Sequence, residues 1–129
     1  MKEYNYTRKI DFDFLEALDE IRFVFSEKWF GIVSTINVSE RINKKLDAGF
    51  KNYTILWVCE PNLAYKFLSF KKELGVFMPC TVAVYEKDDW VYVSAWLPEV
   101  FLENEDFNED LVNEINDLWK LLKSLIDSI

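Results

Sequence analysis

Leu111, Ile115, Leu118, Leu122, Leu125 and Ile129 recur at steps of four, three, four, three and four. That spacing puts one apolar stripe along a long amphipathic helix. Asn108 supplies an N-cap, Phe107 can staple to Val112, and Glu109 with Asp110 place acid at the positive end of the helix dipole. Such a helix needs an apolar surface to lie on. The middle of the chain offers one. Tyr53 to Cys59 is nearly all apolar and reads as an interior strand, while Thr81 to Glu86 and Trp90 to Trp96, joined by Lys87-Asp88-Asp89, read as a hairpin.

The remaining segments fit the same plan. Tyr4 to Ile10 is a short edge strand carrying charges. Asp11 is an expected N-cap, with Ile10 and Leu15 as its hydrophobic staple, for a helix whose stripe is Phe14, Leu18, Ile21 and Phe25 and which ends near Lys28. Phe30 to Ile36 is a strand of Ile and Val. Asn37 with Glu40 marks a second helix start, and Gly49 suits the left-handed residue that ends it. Pro61 fits the first turn of a third helix, whose buried face is Leu63, Ala64, Phe67 and Leu68. Helices and strands are interspersed, with one true hairpin. The expected class is therefore α+β, a two-layer sandwich with a mixed, mostly antiparallel sheet and helices packed on one face.

No repeat or linker divides the 129 residues, which form one domain with enough chain to bury a core. In Trp90 to Trp96, Val91, Val93 and Ala95 point one way and Trp90, Tyr92 and Trp96 the other. A sheet covered on one side only should be polar on its second face. Apolar groups on both faces predict that a second copy covers the outer one, or that a helix of the same chain does so in part.

Composition closes several functional classes. The formal net charge of −8 disfavours a nucleic-acid backbone or an anionic membrane, and the densest basic runs, Lys44-Lys45 and Lys71-Lys72, are too short to offset it. No run approaches membrane-spanning length, and Met1 to Tyr6 lacks an apolar signal core, so a cytoplasmic protein is expected. There is no histidine, which removes Ser-His-Asp and Cys-His catalysis and the commonest transition-metal ligand. Two cysteines neither build a disulfide scaffold nor satisfy zinc, which wants about four ligands. Glu103-Asn104-Glu105-Asp106 lacks the glycine and oxygen spacing of a calcium loop, and Gly31, Gly49 and Gly75 are too isolated to cradle phosphate. No metal and no cofactor is expected.

Four stretches taken together resemble a known family: Phe30-Gly31-Ile32-Val33-Ser34-Thr35-Ile36-Asn37-Val38, then Tyr53 to Ala64, then Leu74 to Tyr85, and finally Val91-Tyr92-Val93-Ser94. Their order and spacing resemble the domain-of-unknown-function family numbered 302, over Phe30 to Pro98. The resemblance implies a small α+β fold of bacteria and archaea, commonly dimeric, without an established reaction. It also marks departures. Trp57-Val58-Cys59-Glu60-Pro61 stands where the family often has Gly-Ala-Cys-Asn-Pro, so Trp57 fills space that a glycine leaves open. Glu60 replaces an asparagine, the better helix cap. The cysteine positions are kept at Cys59 and Cys80.

Those cysteines flank the one stretch with the look of a site. Cys59 ends a buried strand just before a helix that starts at Pro61, where a thiolate gains from unpaired N–H groups and the dipole. Glu60 acts against it by raising the thiol pKa, and an unpaired cysteine is also an ordinary core residue. Cys80 shares a strand face with Val82 and Val84 and has the same two readings. A redox pair requires their Cα atoms to lie within about 7 Å. The expected function is a non-enzymatic, dimeric small-ligand-binding or regulatory module, its site formed by Cys59, Glu60, Tyr65 and Cys80. The rivals are a thiol-dependent redox enzyme or sensor using the two cysteines, and a structural subunit of a larger complex.

Overall fold

Five antiparallel strands in the order β1-β5-β4-β3-β2 form the sheet. They are β1 (Asn5–Ile10), β2 (Gly31–Asn37), β3 (Tyr53–Cys59), β4 (Cys80–Lys87) and β5 (Trp90–Trp96). The helices are α1 (Phe14–Ser26), α2 (Val38–Leu46), α3 (Pro61–Phe70) and α4 (Glu109–Asp127), with a 3₁₀ segment at Lys72–Phe77. This computed structural model describes residues 4–28, 30–78, 80–96 and 106–129. Pro98 and Glu103 to Glu105, named above, lie outside them. All four strand pairings are antiparallel, so the sheet is not mixed.

Strand alternation divides the sheet into two faces. Val91, Val93 and Ala95 of β5, Val82 and Val84 of β4, and Leu56 and Val58 of β3 are buried on one. They join Leu18, Ile21 and Phe25 of α1, Leu63 and Phe67 of α3, and Leu111, Ile115, Leu118, Leu122 and Leu125 of α4 in a single core. Helices and sheet thus close one apolar layer, the two-layer α+β arrangement read from the sequence.

The caps explain where elements begin. Asp13, not Asp11, caps α1: its carboxylate accepts from the Glu16 N–H at 2.9 Å, and Glu16 accepts in return from the Asp13 N–H at 3.4 Å. The reciprocal box needs an acid three residues on. Asp13 has Glu16, whereas Asp11 has Phe14. Leu15 is 71% exposed, so the expected staple to Ile10 is absent. Asn37 caps α2 by accepting from the Glu40 N–H at 3.0 Å. That helix ends on Asp47 in the left-handed region (φ 48), two residues before Gly49, which is itself left-handed (φ 61). Asp is one of the few non-glycine residues to visit this region. Pro61 is the first residue of α3, and Asn108 caps α4 through the Leu111 N–H at 2.9 Å.

The hairpin turn is Asp88-Asp89, with both residues at positive φ (53 and 65), as a two-residue turn matched to strand twist requires. At the other edge, the β2–β3 register shifts between Ile32 and Ser34, a bulge that leaves Val33 out of the ladder and 60% exposed.

Candidate functional site

β3 delivers Cys59 to the end of the sheet, and Glu60 turns the chain into α3. Both Glu60 oxygens are engaged there. Oε1 accepts from the backbone N–H and the side-chain amide of Asn62, each at 3.2 Å, and Oε2 accepts from the Leu63 N–H at 2.8 Å. The glutamate therefore does the capping work that an asparagine does by a shorter reach. Its negative charge sits at the helix start, where the dipole favours it.

β4 begins at Cys80, which is the register partner of Val58. Cys59, one residue further along β3, pairs with Gly31 on the opposite flank. Alternation places Cys80 on the helix-covered face with Val82 and Val84, whereas Cys59, at the very end of β3, has the register parity of Ile55 and Trp57 but borders the same helix-side cavity as Cys80. Both thiols are free. Burial, then the neighbouring Glu60 charge, raises the Cys59 pKa above the ordinary thiol value. Burial is also the main cause for Cys80, with a smaller contribution from Cys59, and it is pushed up to about 12. Both are protonated at neutral pH, so the α3 N-terminus does not yield a thiolate here.

Cys59, Glu60 and Cys80 share the wall of one cavity with Phe30, Leu63, Phe67, Met78, Trp96 and Leu118. Its volume open to the centre of a water molecule is ≈ 20 Å³, room for a water and little more. Trp96, expected on the outer face with Trp90 and Tyr92, instead packs against the core at this end. Tyr65 is not part of the cavity. It is 76% exposed and borders a separate groove with Lys66 and Phe70 of α3 and Asp110 and Glu114 of α4. The helical period explains this, because two residues on from the buried Leu63 is about 200° around the axis. The same arithmetic was available in the sequence. What sequence could not supply was the far wall, since Phe30, Met78 and Leu118 come from three distant segments.

The outer face holds a feature that only register reveals. Tyr53, Tyr85 and Tyr92 are directly opposite one another on β3, β4 and β5. Their rings form a ladder, with centroids 5.1 Å apart at an interplanar angle of 13° for the first pair, and 5.9 Å at 16° for the second. Lys87 Nζ lies 4.8 Å from the Tyr92 ring centre and Lys9 Nζ 3.6 Å from that of Trp90, within cation–π range. The Tyr85 hydroxyl and the Thr7 hydroxyl each hydrogen-bond Ser94 Oγ at 2.7 Å.

Among the described residues, no group of three or more His, Cys, Asp or Glu side chains is placed to hold a metal ion, and no helix is long and apolar enough to cross a membrane.

The family model for the domain of unknown function DUF302 matches residues 6–129. The chain belongs to the DUF302 family. Membership reaches well beyond the Phe30 to Pro98 stretch that carried the resemblance, taking in β1, α1 and α4. The crystal structure of an uncharacterized conserved DUF302 protein from Bacillus stearothermophilus is similar to this fold with a TM-score of 0.86, over 98% of each chain at 23% identity. At that identity the likeness speaks for the DUF302 fold alone. No curated protein matches.

Proposed function

We propose that this DUF302 chain is a non-catalytic binding module that works as a homodimer. The outer face of its sheet lies between the copies, and the cavity at Cys59, Glu60 and Cys80 admits a small apolar molecule. The observation that carries the reading is the tyrosine ladder. Tyr53, Tyr85 and Tyr92 are half-buried, Ile36 and Ile55 flank them, and Trp57 is 37% exposed on the same face. Contiguous apolar and aromatic surface of this kind marks contact sites, and tyrosine is enriched at them because an apolar ring carries a polar tip.

The cavity gives the ligand half of the proposal its support: three of the four expected site residues meet there. A guest larger than water enters only by side-chain movement, and Met78 is the most adaptable group in the wall. The thiol-redox alternative draws less support, because both thiols are raised in pKa and the two cysteines are not a facing pair in the β3–β4 register.

Sedimentation velocity tests the dimer. The expected mass is twice the 15.4 kDa of one chain, falling to a single chain for Ile55→Glu. A 15.4 kDa species for the unaltered protein at micromolar concentration, or a dimer indifferent to Ile55→Glu, overturns it. Native mass spectrometry of protein purified from its host tests the cavity through a retained small-molecule mass.

A further inference from the structure

We propose that the free edge of β2 takes up an acidic, extended polypeptide segment from another protein as an added strand. This surface lies along the sheet edge and meets the outer sheet face only at Ile36, and it does not depend on the dimer.

The two edges of the sheet, β1 and β2, differ in how they are guarded. β1 carries Arg8 and Lys9, and Arg8 Nη1 ties it to α4 through the Ile126 carbonyl at 2.8 Å and the Ile129 carbonyl at 3.0 Å. Edge charges of that kind discourage further pairing. β2 reads Gly-Ile-Val-Ser-Thr-Ile-Asn, with no charge and no proline. Its outward N–H and C=O groups are a template for another strand. The bulge disturbs only its first half. From Ser34 to Asn37 the pairing with β3 is regular, so the outer side of that half presents a regular ladder as well.

Thr35, Ile36 and Asn37, from this regular half, also form one wall of a groove of ≈ 660 Å³. The other wall is α2, through Glu40, Arg41, Lys44 and Lys45. Arg41, Lys44 and Lys45 are spaced i, i+3 and i+4, hence on one side of the helix. The chain has 23 Asp and Glu against 15 Lys and Arg, yet here three cations face one carboxylate. Among the described residues none of the three has an ion-pair partner. A strand laid along Ser34 to Asn37 sets its side chains beside these cations. Carboxylates at those positions complement them, and backbone pairing supplies the rest of the contact.

The test uses the full chain and a short fluorescein-labelled peptide of alternating Glu and Thr, followed by anisotropy. Binding is expected, with affinity reduced at least tenfold by the triple change Arg41→Gln, Lys44→Gln and Lys45→Gln, which leaves the helix its propensity. A peptide with N-methyl groups on alternate residues cannot pair as a strand and should not bind, nor should the matching Lys-Thr peptide. Equal binding of the N-methylated peptide, or equal competition by inorganic polyphosphate, shows a generic anion patch and overturns the proposal. No binding of the Glu-Thr peptide at millimolar concentration overturns it too. So does a dimer that dissociates on Val33→Lys, because a second copy then occupies this edge.

Discussion

Cys80 lies directly across the sheet from Val58, and Cys59 is therefore one residue out of step with it. This offset decides what the two cysteines can do together. They are near neighbours at one end of the sheet and border one cavity, but as a diagonal pair of opposite parity in the pleat they are not a facing pair, and a disulfide needs side chains that converge. Oxidation with diamide should leave the intact mass without the loss of two hydrogens. Alkylation should reach Cys59, which is less buried, well before Cys80. Mass spectrometry over a time course at mildly alkaline pH reads both outcomes, and an early Cys80 adduct would contradict the assignment.

The Cys80 pKa also sets an alkaline limit on stability. Its thiol sits near 9.0 when unfolded and at about 12 when folded. The folded state holds the proton more tightly, so its contribution is fully present below pH 9.0 and is lost progressively as pH rises towards 12. Tyr53, raised by burial and by Tyr85, acts in the same direction at higher pH. Chemical denaturation across this range should show falling stability for the native chain and a flatter profile for Cys80→Ala. Parallel profiles would mean that Cys80 ionises freely in the folded protein.

Glu60 couples the cap of α3 to the chemistry of Cys59. Glu60→Ala removes the acceptors of the Asn62 and Leu63 N–H groups and should cost about 1 kcal/mol, read from the urea midpoint. Glu60→Asn should restore most of that loss, because the shorter side chain caps well. Either change removes a negative neighbour, so the Cys59 thiol should titrate at lower pH. The rate of Cys59 alkylation against pH, followed by mass spectrometry, measures it.

Much of this architecture was legible in the sequence because it depends on local pattern. The α4 stripe, the hairpin, the Pro61 start and the Asn37 and Asn108 caps all follow from spacings of two to four residues. The expected caps failed at Asp11, where Asp13 two residues on has Glu16 to complete its box, and at Gly49, where Asp47 takes the left-handed position two residues earlier. The site was half legible. Cys59, Glu60 and Cys80 belong to one wall because β3 and β4 pair, but Tyr65 turns away around α3. The tyrosine ladder and the bare edge of β2 were beyond reach: a one-residue slip between strands would abolish the first, and strand order alone creates the second. Lys44-Lys45, dismissed as too short a basic run, gains weight only once Arg41 and the groove are placed beside it.

The hairpin turn carries removable strain. Asp88 and Asp89 both sit at positive φ, a region that costs a side-chain-bearing residue roughly 1 kcal/mol relative to glycine. Replacing the pair by Asn-Gly keeps the two-residue turn and supplies the residues it prefers. The change also removes the Lys51–Asp89 ion pair at 3.8 Å. Asp89 is almost fully exposed there, so the pair is worth little after solvent screening. The relief of strain should dominate. Thermal unfolding should shift upward by several degrees, the shift expected of about 1 kcal/mol in a domain of this size, with the Lys87 to Trp90 register unchanged. A lower midpoint would show that the aspartates hold the turn by contacts stronger than the strain they bear.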